Sequence, residues 1–406
     1  MNATDPTLHR PAALTSWPAV LAAAFVGVAV AMNVGKVPIA MGQLREEFHL
    51  SLVAAGWVSS MFNTLAVFTA VFFGLFGDRL GALRMCFLGL GISILGGIGG
   101  LLSPTPELLL LSRFAEGAGF IAAAVSAPAL LSAASLPSDR RFALGIWSCY
   151  LPAGVGLVTL SAPLLLPMSG WRGLWLLSLL MLLASSFAVY RNRAAYAVRT
   201  HITGTQPHFL AVARDALARP LPWILALIFG TWSTQHFALI IWLPTFLKEQ
   251  RHLSPLLVAL LSCLMVLVNV PGNLLGGTLV QRGFRRGNLI ATASVITGLS
   301  GLGMFVEGLP DLVRYGLCLS LSFWGGLIPS AVISSSATLA KSPNQISTLQ
   351  GLFSQGAQLG QFLGTPIIAA LVAATGHWQS AAWVTGGAAT LGIGLGLLVR
   401  KLEKAQ

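Results

Sequence analysis

The chain has 406 residues, of which 9% are charged and 55% hydrophobic, and its mean hydropathy is +0.79. A water-exposed surface needs several times that density of charge, which excludes an ordinary soluble enzyme, a disordered chain and a coiled coil. A polytopic membrane protein remains, and at about 30 to 35 residues per span and connection the length holds about twelve spans.

In chain order, apolar runs predict spans over 18–41, 53–76, 82–103, 108–134, 142–167, 171–190, 220–247, 255–280, 287–307, 312–340, 346–374 and 378–399. The first run is too long for a cleaved leader and carries Asn33 and Lys36. An even number of spans puts both termini on one side. If that side is the cytoplasm, 17 of the 24 Lys and Arg fall in inside segments and 5 in outside segments; Lys36 and Arg113 lie within spans. The asymmetry predicts a multi-pass protein of the cytoplasmic or inner membrane with both termini cytoplasmic. The formal net charge of +12 is then an orientation signal and not a nucleic-acid footprint. Cys86, Cys149, Cys263 and Cys318 lie in apolar runs without metal or redox spacing. No metal site and no cofactor are expected.

The longest break, 191–219, carries five arginines and divides the chain. The expected organisation is an N-terminal six-helix bundle (1–190), a cytoplasmic linker (191–219) and a C-terminal six-helix bundle (220–406). An internal repeat supports it. Gly74 and Arg79 are echoed by Gly277 and Arg282, Gly145 and Gly154 by Gly351 and Gly360, and Gly170-Trp171 by Gly376 and Trp378. All offsets are near half the chain.

Between spans 2 and 3 runs Gly74-x-x-Gly77-Asp78-Arg79-x-Gly81-x-x-Arg84. It resembles the signature cytoplasmic loop of the major facilitator superfamily. Arg113-x-x-x-Gly117 in span 4 resembles a second motif of that family. Gly145-x8-Gly154 resembles the start of the antiporter motif, whose remainder is absent. The stretch 145–156 and the Asn33/Lys36 region are loosely similar to cyanate- and nitroimidazole-type transporters. The resemblance implies an all-α fold of twelve transmembrane helices in two pseudo-symmetric bundles around a central cavity, opened to alternate sides. Gly74 and Gly77 would allow close helix approach, and Asp78, Arg79 and Arg84, with Gly81 between them in the motif, would form a gate. The repeated copy has Gln281 at the place of Asp78, so the halves are not expected to gate alike.

Charges inside spans are costly unless paired or hydrated, which singles out Lys36, Arg113 and Glu116. Arg113 and Glu116 are three apart on one helix face. They read either as a proton-sensitive couple or as a static pair pinning span 4. Lys36 shares a face with Asn33 and either reaches the headgroups or faces the cavity and attracts an anion. Gln350, Ser354, Gln358, Gln361 and Thr365 form one stripe on span 11, expected to line the cavity. Gln235 and His236 in span 7 and Asn269 and Asn273 in span 8 are further cavity candidates, and His236 reads either as hydrogen-bonded packing or as a proton relay.

These features predict a monomeric secondary active transporter of a small polar or anionic solute, coupled to protons and working by alternating access in the lipid bilayer. The alternative is proton-antiport efflux of drugs or of a secreted metabolite such as a siderophore. No nucleotide motif, HExxH spacing or converging nucleophile supports an enzyme.

Overall fold

The computed structural model describes residues 14–136, 138–139, 143–144, 146–147, 149–197, 214, 217–340 and 343–404. Gly145, Arg140, Arg141, Lys341 and most of the 191–219 linker therefore lie outside the described residues. The described regular structure is helical throughout. In the first half it comprises α1 (Trp17–Glu47), α2 (Leu52–Ser60), α3 (Thr64–Leu80), α4 (Ala82–Leu101), α5 (Pro106–Ala134), α6 (Tyr150–Arg191) and α7 (Arg193–Ala197). The second half comprises α8 (Pro220–Glu249), α9 (Pro255–Leu267), α10 (Asn269–Gln281), α11 (Arg286–Gly303), α12 (Asp311–Gly325), α13 (Leu327–Leu339), α14 (Pro343–Thr375) and α15 (Ala381–Lys404).

Ten helical stretches among the described residues are long and apolar enough to cross a membrane. The twelve expected runs differ from these at two places. The described parts of runs 142–167 and 171–190 are two helices that meet without a loop in α6 and are separated by a kink at Gly170 (φ 63°, ψ −167°). Run 287–307 forms α11, an 18-residue helix not counted among the ten. Two other runs are broken by proline. Pro271 has no N–H for the carbonyl of Leu267, where α9 ends, and Pro329 none for Gly325, where α12 ends.

The repeat read from glycines reappears in the backbone. The six described residues with positive φ form three pairs: His49 and His252, Gly81 and Gly283, Gly170 and Gly376. Their spacings are 203, 202 and 206, from the residue numbers. His49 closes α1 and His252 closes α8 in the left-handed region, both at φ 50°. Two residues on, Ser51 accepts from the Ala54 N–H and Ser254 from the Leu257 N–H, capping the next helix in the same way. The sequence His-Leu-Ser stands at both corners, a signal the glycine comparison overlooked.

In the first half α1 packs on α6 and α5, and α4 on α5. In the second, α8 packs on α14 and α15, and α11 on α15. Gly154 and Gly360 serve the same close approach: a Cβ would come 2.4 Å from the Val28 carbonyl oxygen in α1, or 2.1 Å from that of Gly230 in α8. Across the halves α14 lies against α2 and α3, α9 against α6, and α8 against α1. At the end away from the chain termini, Arg45 donates to Glu249 at 2.7 Å, tying the end of α1 to that of α8.

Candidate functional site

Two long helices meet around three charges. Asn33 and Lys36 are three apart on α1, and Arg113 and Glu116 three apart on α5. Gly96 lets α4 close on α5 at the level of Glu116, because a Cβ there would sit 2.8 Å from the Glu116 backbone nitrogen. Pro38 supplies no N–H to the α1 ladder at this level.

Glu116 holds both cations. Lys36 Nζ donates to Glu116 Oε1 at 2.5 Å and to Asn33 Oδ1 at 2.7 Å. Arg113 donates to Glu116 Oε2 and, at 2.8 Å, to the backbone oxygen of Asn33. Aromatic faces cover the outer sides. Lys36 Nζ lies 4.4 Å from the Trp175 ring centre, and the Arg113 guanidinium 4.6 Å from that of Phe62. Lys36 and Glu116 are 0% exposed and Arg113 is 1% exposed.

Two cations against one carboxylate leave an excess of one positive charge in a sealed interior. Asn33 Oδ1 and the Asn33 carbonyl accept from the two cations, but they bring no negative charge to balance the excess. Asn33 Nδ2, Arg113 Nε and Trp175 Nε1 are buried donors without a partner. Buried donors are ordinarily satisfied, and a net charge left uncompensated in low dielectric is costlier still. Cluster and donors together have the chemistry of a site that takes an anion.

The expected Arg113–Glu116 pair is thus present. Lys36 takes neither expected arrangement: it neither reaches the headgroups nor faces open space, because the second oxygen of Glu116 captures it inside the first half. Sequence reasoning saw both partners but did not connect them, since they are 80 residues apart on different helices. The signal available was charge balance: one in-span carboxylate for two in-span cations.

The glutamine stripe lies on α14, the helix packed between α8 and α2–α3. Gln358, Gln361 and Thr365 are buried, Ser354 is half-buried, and Gln350 is exposed with its amide 3.4 Å from Ser336 Oγ. Gln358 Oε1 and Gln235 Oε1 are buried acceptors without a partner, while the Gln235 amide reaches the Thr231 carbonyl at 3.3 Å. Asn269 and Asn273 spend their donors on packing. Asn269 Nδ2 donates to the Ser322 carbonyl at 2.7 Å, and Asn273 Nδ2 to Asn269 Oδ1 at 2.6 Å. His236 is likewise fixed, stacked on Trp232 with ring centres 4.7 Å apart and its Nε2 3.1 Å from Ser322 Oγ. Ser322 Oγ donates to the Met265 carbonyl at 2.6 Å, so it accepts from His236 Nε2–H. Of the gate motif, Gly74, Gly77, Asp78 and Arg79 are helical in α3, but their side chains lie outside the described residues. Gly81 turns at φ 83° and Arg84 is exposed at the start of α4.

A family model described as Major Facilitator Superfamily matches residues 21–365. The chain belongs to the major facilitator superfamily. It is therefore a multi-pass membrane transporter that binds small-molecule substrates, and its class is not one of enzymes. Among curated superfamily relatives, it is 23% identical to a probable sulfoacetate transporter, SauU, of Cupriavidus necator, over 88% of this chain and 87% of that one. The methylenomycin A resistance protein of Streptomyces coelicolor is 27% identical over 45% of this chain and 39% of its own. In fold it is similar to a solved bacterial homologue of the human lysosomal transporter Spinster, in an inward-facing and occupied conformation. That match has a TM-score of 0.74 and 14% identity, and covers 94% of this chain and 96% of the other.

Proposed function

We propose that the protein is a proton-coupled transporter of a small organic anion, and that the Lys36–Glu116–Arg113 cluster is its coupling centre. The observation that carries this reading is the uncompensated buried charge beside three unpaired donors. The excess can be removed in two ways: an anion can arrive, or Lys36 can release its proton. Release from Lys36 leaves a neutral Arg113–Glu116 pair, whereas protonating Glu116 would leave two cations side by side. Lys36 is therefore the better proton site of the two carried by the cluster. An anion stabilises the protonated lysine and the protonated lysine attracts the anion, so the two bind together by linkage.

The relative named for sulfoacetate, an anion, matches over most of both chains, while the resistance relatives match over less than half. That balance supports an anionic solute over drug efflux. In this reading two six-helix halves joined by 191–219 rock about the solute, with both termini in the cytoplasm, and the protein acts as a monomer in the inner membrane. The first half offers donors, and the acceptors Gln235 and Gln358 of the second half face the hydroxyl or amide groups of a polar solute. Flux of sulfoacetate and other small organic anions into proteoliposomes, with and without a pH gradient, tests it. Acceleration by a proton gradient and its loss in Lys36→Gln are expected. Wild-type flux in Lys36→Gln would refute the assignment.

A further inference from the structure

The second half contains a cavity that the transport reading does not use. It lies at the end away from the chain termini, among α8, α9, α12, α14 and α15, with a volume of about 390 Å³. Its wall is almost wholly apolar and includes Trp242, Leu261, Met304 and Ile368. Protein interiors pack densely, and water is held poorly where it finds no polar partners. The volume is in the ordinary range of ligand pockets.

A second, polar chamber of about 360 Å³ adjoins it and shares Phe246, Arg251, Arg314 and Trp378 with it. The boundary between the two chambers therefore carries two guanidiniums. Both lie over the Phe246 ring, at 5.5 and 6.0 Å. They share one carboxylate: Asp311 Oδ1 is 3.0 Å from Arg251 and 3.5 Å from Arg314. Arg314 is 8% exposed and is fixed by its Nε bond to the Met304 carbonyl at 2.7 Å. The other acid, Glu307, lines only the polar chamber and accepts from Gln379. A group at the boundary thus meets an excess of one positive charge before it meets Glu307.

We propose that these joined chambers bind a single-tailed amphiphile with an anionic head, of the long-chain carboxylate class, its tail in the apolar chamber and its head against Arg251 and Arg314. The apolar chamber excludes a purely polar solute, and the arginines distinguish a carboxylate from an uncharged lipid. Trp242 and Trp378 border the tail, with ring centres 6.0 Å apart, and report on it directly.

The test is quenching of tryptophan fluorescence in the purified full chain by a bromine-terminated fatty acid, compared with the matching brominated alcohol. Saturable quenching by the acid is expected, most of it lost in Trp242→Phe/Trp378→Phe. Arg314→Gln removes a charge-assisted bond and weakens the acid on the order of tenfold, leaving the alcohol unchanged. Arg251→Gln, at a more exposed position, gives the same sign and serves if Arg314→Gln does not fold. Quenching that is unsaturable, equal for acid and alcohol, or unchanged in the double tryptophan variant would overturn the proposal. None of these readouts depends on transport.

Discussion

Glu116→Gln and Lys36→Gln should have opposite characters, although each removes one side of the same 2.5 Å ion pair. Glu116→Gln leaves Lys36 and Arg113 as two uncompensated cations at 0% and 1% exposure. Removing one partner of a buried pair costs about 3–5 kcal/mol, and both cations lose theirs here. Lys36→Gln loses the bond to Glu116 and the contact with Trp175, but removes the excess charge and leaves Arg113–Glu116 neutral. A glutamine amide can still donate to Asn33 Oδ1. The net change should stay within about 2 kcal/mol, since a desolvated cation–π contact is worth about that much. The double variant should recover at least half of the Glu116→Gln loss, about 1.5–2.5 kcal/mol, so the two substitutions are not additive. Chemical unfolding in detergent micelles measures all three. Lys36→Gln should remain nearly as stable as the wild type yet fail to transport, which separates function from packing. If Lys36→Gln is as destabilised as Glu116→Gln, the cluster is an ordinary paired network and the excess-charge reasoning is wrong.

Three further outcomes follow from particular contacts. Gly117→Ala places a Cβ 1.7 Å from the Phe62 carbonyl oxygen, and overpacking of at least about 1–3 kcal/mol should cut the folded yield on size-exclusion chromatography. The Arg45–Glu249 pair is partly exposed and adds at most about 1 kcal/mol to stability. Its position joining the two halves matters more, so cysteines at both places bridged by a thiol-reactive linker should arrest flux, and a cleavable linker should restore it on reduction; continued flux in the bridged protein would show that this end does not open. His236→Gln should lower the unfolding temperature, because the Trp232 stack and the Ser322 bond are lost, but leave the pH profile of transport unchanged. A shifted profile would return His236 to the proton pathway.

Much of the fold was legible because a bilayer imposes long apolar runs and confines charge to loops, so spans could be read without any tertiary knowledge. The breaks within spans were harder. Pro271 and Pro329 end helices four residues upstream of themselves, inside runs that hydropathy alone treats as continuous. The repeat was visible in glycines at Gly154 and Gly360, yet its sharpest trace was the His-Leu-Ser corner, where a left-handed residue and a serine cap recur. At the site, Arg113 and Glu116 were readable as a pair because helical spacing makes i and i+3 neighbours. Lys36 was not, since its partner is fixed by how α1 packs on α5. The asparagines of α10 and His236 were read as cavity groups from polarity, but polarity is equally well spent on nearby side chains and carbonyls, and the sequence does not record which. The amphiphile cavity left no sequence signal, because its wall is assembled from mostly apolar residues of five helices far apart in the chain.

The central claim is that one anion and one proton bind to the cluster together. Adding sulfoacetate, or another small organic anion that binds, to the purified protein in weakly buffered detergent solution with a pH indicator measures this directly. The account predicts proton uptake from solution that saturates with the anion and is absent in Lys36→Gln. Anion binding without proton uptake in the wild type, or the same uptake in Lys36→Gln, would contradict it.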